Sequence, residues 1–142
     1  MNKQQSGSLH LTKKTDYGLL LLSILANKKT GDQFSIKTIA KENKIPFSFL
    51  QKIANSLQKS GIIKSERGKY GGHALAKKPE NITIKAVIES LEGQIAITQC
   101  SCSPKISCER SHLCKIKKSL RNINDEIKKY FLSKTLKEII SK

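Results

Sequence analysis

Acidic side chains are scarce in this chain. Its 142 residues hold 11 aspartates and glutamates against 27 lysines and arginines, a formal net charge of +16. That imbalance points to a polyanion partner, nucleic acid first and an acidic membrane surface second. Long apolar runs are also missing. The longest stretch, Gly18 to Ala26, is broken by Ser23 and falls far short of the roughly 20 residues that a bilayer requires. Residues Met1 to Leu9 are polar, which predicts no signal peptide and places the chain by expectation in a reducing cytoplasm, off the membrane. Catalytic frames are absent from the sequence as well: there is no Ser/His/acid set, no Walker loop and no recognisable carboxylate pair. Neither an enzyme nor a small-molecule substrate is expected. The hydrophobic content of 37% is patterned, which excludes a fully disordered basic tail.

A chain of this length predicts one compact domain with a small appendage. The charge is uneven along it. Residues 1–79 carry 15 basic and 4 acidic side chains, a net +11; residues 80–142 carry 12 and 7, a net +5. The first half is therefore the better anion-facing surface, while the second half holds all four cysteines.

Helical periodicity begins after a polar lead. Tyr17, Leu20, Leu21, Ile24 and Leu25 recur at helical spacing, with Thr12 or Thr15 as the cap. Ser35 can cap a short second helix whose apolar face is Ile36, Ile39 and Ala40. Pro46 then enforces a turn, since proline disfavours helix at the residue before it. A third helix runs from about Pro46 or Phe47 to Lys59, with Leu50, Ile53 and Leu57 on one face and Gly61 as its stop. Two short extended runs, Ile62 to Glu66 and His73 to Ala76, flank the basic loop Arg67-Gly68-Lys69-Tyr70-Gly71-Gly72 and read as a hairpin. Thr83 to Leu91 reads as a fourth helix that stops at Gly93. This order is that of a winged helix-turn-helix, in which the second helix of the motif enters the major groove and the wing meets a flanking groove or the backbone.

From Lys115 onward Ile116, Leu120, Ile123, Ile127 and Tyr130 form a heptad stripe. Such a stripe suits packing against another helix. A domain this small has little spare core to cover it, so a homodimer is expected, which also matches two-fold DNA sites. Ser133 to Ile140 reads as a further short helical turn. The expected organisation is a flexible lead at 1–9, a DNA-binding domain at 10–95, a cysteine loop at 96–114, and a dimerisation helix with its tail at 115–142. The fold class is mainly α with a small β-wing.

Cys100, Cys102, Cys108 and Cys114 fall within fifteen residues, among loop-forming serines and Pro104. Thiolates are soft donors that suit iron–sulfur clusters, zinc or copper(I). The gaps of one, five and five residues fit a zinc ribbon poorly, because its cysteines come in pairs about two to four residues apart. Lys105, Arg110 and Lys115 would lower thiol pKa values and offset a cluster's negative charge. A thiol–disulfide switch and a zinc-stabilised or thiol-only structural protein are the other readings of this loop.

With these residues in view, the chain resembles the iron–sulfur-dependent winged-helix regulators typified by IscR, NsrR and SufR. The resemblance covers about residues 9 to 140. It rests on Leu11-Thr12-Lys13-Lys14-Thr15-Asp16-Tyr17, Ile45-Pro46-Phe47-Ser48-Phe49-Leu50, Leu57-Gln58-Lys59-Ser60-Gly61, the wing and the cysteine loop. Leu91-Glu92-Gly93 followed by Ile95 to Cys100 looks especially like proteobacterial regulators of the SUF cluster-assembly operon. The resemblance implies a homodimeric repressor or activator of cluster-assembly genes, controlled by a [2Fe-2S] or [4Fe-4S] cluster. Related members respond instead to nitric oxide or iron supply.

The first cluster cysteine is Cys102 by spacing or Cys100 by the preceding sequence, followed by Cys108 and Cys114. IscR-like members carry a histidine three residues after the last cysteine, where this chain has Lys117, a poor iron ligand. The spare cysteine, His112 and Asp16 are the candidate replacements. Asp16 matches an acidic residue that NsrR-like members supply from the first helix; it also suits the positive end of the helix dipole. Ser48 and Gln51 match recognition-helix positions that meet bases, and glutamine pairs with adenine through two hydrogen bonds. Arg67 matches a DNA-contacting wing arginine. Lys52 and Lys69 suit phosphates, which position without specifying. His73 stands where relatives often have tyrosine and reads as structural. Lys52→Ala or Lys69→Ala should weaken duplex binding uniformly across sequences. Each should reduce the slope of log affinity against log salt by about one unit; an unchanged slope would count against the phosphate role.

Overall fold

A computed structural model describes residues 11–29, 34–67, 71–102 and 108–141, without the side chains of Gln99 and Cys102. The expected flexible lead at 1–9 and Lys69 lie outside these residues. Helix α1 spans Lys13–Ala26, and the Thr12 hydroxyl accepts from the Lys14 N–H at 3.2 Å. Helix α2 spans Ile36–Glu42, where the Ser35 hydroxyl accepts from the Thr38 N–H at 3.1 Å. Both caps satisfy first-turn donors that have no carbonyl partner inside the helix.

The turn after α2 closes through Lys44, at φ 54°, and a hydrogen bond from the Ile45 N–H to the Ala40 carbonyl at 2.9 Å. Helix α3 follows at Phe47–Lys59, immediately after Pro46. Gly61, at φ 68°, turns the chain out of it, a conformation that glycine adopts without strain. Strands β1 (Ile63–Glu66) and β2 (Gly72–Leu75) pair antiparallel, with Ile63 opposite Leu75 and Glu66 opposite Gly72. Helix α4 (Ile84–Glu92) is capped by Thr83 and ends at Gly93, φ 86°. Further α-helices among the described residues are α5 (Gln99–Cys102), α6 (Lys117–Ser133) and α7 (Leu136–Ile140), and a short 3-10 turn covers Pro79–Asn81. This is the expected mainly helical fold with a two-stranded wing.

The core gathers one face from each element: Leu21, Leu22 and Leu25 of α1, Ile36 and Ile39 of α2, Leu50, Ile53 and Leu57 of α3, and Val87 and Leu91 of α4. Fully burying one such side chain contributes about 1.5–3 kcal/mol. The α1 stripe differs from its expected form. Leu20 is 36% exposed, while Leu22, Thr15 and Gly18 face inward. Four successive leucines make α1 apolar all round, so its neighbours decide which of them it buries. Gly18 lies under α4, where a Cβ would collide with the tip of the Leu91 side chain.

The C-terminal segment returns to this core. The Ile84 N–H donates to the Lys134 carbonyl and the Leu136 N–H to the Ile82 carbonyl, each at 2.8 Å. Leu136 is fully buried, a place that the sequence reading had not given it. Helix α6 turns Asn124 inward, at 1% exposure, and leaves Ile116, Ile123 and Tyr130 at 60%, 47% and 61%. Asn124 is one residue from Ile123, so it lies about 100° round the helix. The face that docks on the domain is therefore offset from the apolar stripe, and much of the stripe is left open.

The wing is seated by close approach at Gly72. A Cβ there would meet the Phe34 carbonyl oxygen at 2.9 Å, and backbone yields less readily than a side chain tip. Gly72→Ala should lower stability by about 1–3 kcal/mol through this overpacking. Urea unfolding followed by circular dichroism checks it; an unchanged midpoint would refute the contact.

Candidate nucleic-acid interface and cysteine site

Helix α3 presents two opposed faces. Leu50, Ile53, Ala54 and Leu57 pack inward, and Phe49 meets the Tyr17 ring edge-on at 5.9 Å. Ser48 and Lys52 are exposed on the other side, as their assigned roles require. Gln51 is partly buried, and its Nε2 donates to Asn55 Oδ1 at 3.1 Å. That bond aims the glutamine amide from within the helix, one turn on. Sequence reasoning missed Asn55, although its position four residues after Gln51 carried the signal.

Arg67 follows β1 and is exposed. Two contacts hold the strand that presents it. The Ser65 hydroxyl donates to Gln58 Oε1 at 3.1 Å, tying the wing to α3. Lys28 Nζ lies 2.8 Å from Glu66 Oε2. The hydrogen bond from Lys28 holds the Glu66 carboxyl below its usual range, and the charge of Lys28 adds to this. The pair is largely solvated at Glu66, so it orients more than it stabilises. The structure thus brings Ser48, Gln51 and Lys52 together on α3, with Arg67 on a wing fixed to the same helix.

A cleft of about 310 Å³ separates α3 from the wing root, lined in part by Ser35, Ile36, Phe47, Gln51, Gly72 and His73. The Nδ1 atom of His73 is buried there without a hydrogen-bond partner. Burial pushes the imidazole pKa below its usual value, because the charged form loses water that nothing replaces.

The cysteine segment hangs between α4 and α6. Cys100 Sγ lies 3.2 Å from the Thr98 hydroxyl, which is also 2.8 Å from the Ser101 hydroxyl. Cys100, Cys108 and Cys114 are free thiols, each partly buried. The side chain of Cys102 lies outside the described residues. His112 and Asp16 are both exposed. Among the described residues no three histidine, cysteine or acidic side chains gather closely enough to hold a metal ion. The donor chemistry suits an iron–sulfur cluster; the described side chains are not drawn round one.

Two tethers fix the start of this segment, and neither was foreseen. Asn124 Oδ1, buried in the middle of α6, accepts from the Ile97 N–H at 3.0 Å. At the other end, Glu92 Oε1 accepts from the Thr15 hydroxyl at 2.7 Å and from the Thr12 hydroxyl, while Lys14 Nζ donates to the Leu91 carbonyl. Asn124 thus ties the start of the cysteine segment to the long C-terminal helix, while Glu92 ties the end of α4, which leads into that segment, to the first helix of the DNA-binding unit.

Residues 11–142 match the family described as Rrf2, an iron-dependent transcriptional regulator. The chain belongs to the Rrf2 family of transcriptional regulators. It is 31% identical over 133 residues to the regulator NsrR of Halalkalibacterium halodurans, covering 94% of this chain and 91% of that protein. It is 35% identical over 136 residues to NsrR of Bacillus licheniformis, covering 93% and 92%. Among solved structures, CymR, the global cysteine regulator of B. subtilis, superposes with a TM-score of 0.73 at 32% identity, over 94% of this chain and 98% of that one. IscR of T. potens superposes with a TM-score of 0.70 at 25% identity, over 94% and 88%. These relatives are regulators and not enzymes, and the Rrf2 chain described here is a DNA-binding regulator. No helix among its described residues is long and apolar enough to cross a membrane.

The half-buried imidazole at the wing root of this Rrf2 protein gives stability a pH dependence. The folded state holds His73 below its ordinary pKa, so the unfolded chain binds the proton more readily. His73 therefore contributes stability above the ordinary imidazole pKa of about 6.5, and that stability is lost as pH falls from there through the lower pKa of the folded state. Urea midpoints at about pH 8 and about pH 5 should differ less in His73→Phe than in the wild type. An equal difference in both would contradict the assignment.

Proposed function

We propose that this Rrf2 regulator is a homodimeric repressor whose iron–sulfur cluster state controls expression of iron–sulfur cluster-assembly genes. The observation that carries this reading is the start of the cysteine segment held at Ile97 by Asn124 of α6, just after an α4 whose last residue, Glu92, is bonded to α1. Cys108 and Cys114, with Cys100 or Cys102, would hold the cluster. Asp16, His112 or the spare cysteine would supply the remaining ligand. When bound, the cluster supplies a redox- and supply-sensitive centre.

The chain's own residues provide the transmission. Cluster ligation would order the 100–114 loop and its loss would loosen it, a change passed through Ile97 to Asn124, which sits beside the open stripe of Ile116, Ile123 and Tyr130. A second copy packed on that stripe sets the spacing of the two recognition helices, and spacing decides the fit to paired half-sites. Ser48 and Gln51 read bases, Arg67 reaches from the wing, and Lys52 and Lys69 meet phosphates. A reducing cytoplasm suits such thiols.

A second reading keeps the DNA-binding fold and changes the signal. Likeness to NsrR favours a nitric-oxide- or iron-responsive repressor. Likeness to CymR, with Cys100, Cys108 and Cys114 as free thiols among the described residues, favours a cluster-free thiol switch. Anaerobic purification of the wild type and of the four single Cys→Ser variants separates them, read by absorption and Mössbauer spectra with iron, sulfide and zinc analysis. The proposal expects a coloured iron–sulfur protein, with its spectrum lost or altered in at least three variants. Four variants that all retain the wild-type cluster would refute this ligand loop. Colourless protein containing zinc, or no metal, would favour a structural or thiol-only role. Loss of DNA binding at near-stoichiometric nitric oxide would move the signal to nitric oxide.

A further inference from the structure

Phe47 is the apolar residue of α3 that core packing does not account for. It is the first residue of α3 and is 49% exposed. The other apolar residues of that helix, Phe49, Leu50, Ile53, Ala54 and Leu57, all enter or pack against the core. Phe47 instead adjoins exposed Ser48 and, with Gln51, lines the cleft between α3 and the wing root. A half-exposed phenyl ring gains free energy from any apolar group that covers it.

The surroundings restrict what that group can belong to. Lys37 also lines the cleft, and Lys52 and Arg67 are exposed on α3 and the wing. The first 79 residues carry a net +11. A polyanion is therefore the favoured occupant of this face, and the apolar group that a DNA major groove displays is the C5-methyl of thymine. We infer that Phe47 is a specificity-determining residue that packs on a thymine methyl beside the base read by Gln51. The inference rests on the DNA-reading role of α3 and adds to it a contact made without hydrogen bonds. The cleft beside the ring leaves room for the methyl without moving the helix.

A single-group substitution tests this. Duplexes selected by the full-length wild-type protein from a random pool are resynthesised with each thymine replaced in turn by deoxyuridine, which removes only the methyl. Wild-type affinity should fall about fourfold at one position per half-site, the weight of one buried methyl-sized group. Phe47→Ala should bind the unmodified duplex more weakly by a similar factor and lose nothing further when that thymine becomes deoxyuridine. Its salt slope should equal that of the wild type, because no phosphate contact is removed. Phe47→Gln, whose stem keeps the cleft packed, should behave likewise and serves if the alanine variant is unfolded by circular dichroism.

Equal deoxyuridine penalties in wild type and variants, or no penalty at any thymine, would overturn the role of Phe47 while leaving α3 as the reading helix. A wild-type protein that selects no sequence would overturn both.

Discussion

A single carboxylate holds the two halves of this molecule in register. Glu92 closes α4 and accepts hydrogen bonds from Thr12 and Thr15 at the start of α1. Thr15 is fully buried, so its hydroxyl needs that acceptor; an unmatched buried hydroxyl costs about 1–3 kcal/mol. Further along the two helices, Gly18 admits Leu91 at a distance that no side chain would permit. The crossing of α1 and α4 is therefore fixed twice, once by packing and once by polar pairing. The recognition helix packs on both of these helices, and the chain runs from Glu92 through Gly93 toward the cysteine segment.

Charge acts on a different scale. Ion pairs among the described residues, such as Lys28–Glu66, Lys85–Glu89 and Lys134–Glu138, lie at the partly exposed surface and add little stability individually. The excess of lysine serves attraction to a polyanion more than folding. Specificity has to come from shorter-range groups, and the groups proposed for it are the amide of Gln51 held by Asn55, the hydroxyl of Ser48 and the exposed ring of Phe47. The wing is positioned for the same surface by Ser65 on Gln58 and by the bare backbone of Gly72 against residue 34.

Much of the fold was legible because local rules act alone at helix ends. Thr12, Ser35 and Thr83 cap the helices they were expected to start or that the spacing placed beside them. Gly61 and Gly93 take the left-handed conformation where a helix had to stop. The spacing of Leu50, Ile53 and Leu57 fixed the inward face of α3, and with it the outward face that holds Ser48, Gln51 and Lys52. The site was less legible where its contacts span the chain. Asn124 reads as an ordinary polar position in a charged helix, and Glu92 as a last-turn acid against the helix dipole. Their partners lie 27 residues away for Asn124, at Ile97, and 77 away for Glu92, at Thr15.

By itself, then, the sequence determined the order of the elements, their caps and stops, the basic character of the first half, and the grouping of four thiols behind a winged helix. These follow from periodicity, local hydrogen bonding and composition, which need no tertiary partner. Only the tertiary structure decided which leucines of α1 are buried, that Leu136 returns to the core, and that α6 docks through Asn124 and leaves its stripe of Ile116, Ile123 and Tyr130 uncovered. Those outcomes depend on which surfaces meet. A helix apolar on more than one side carries no local signal for which side another element will take.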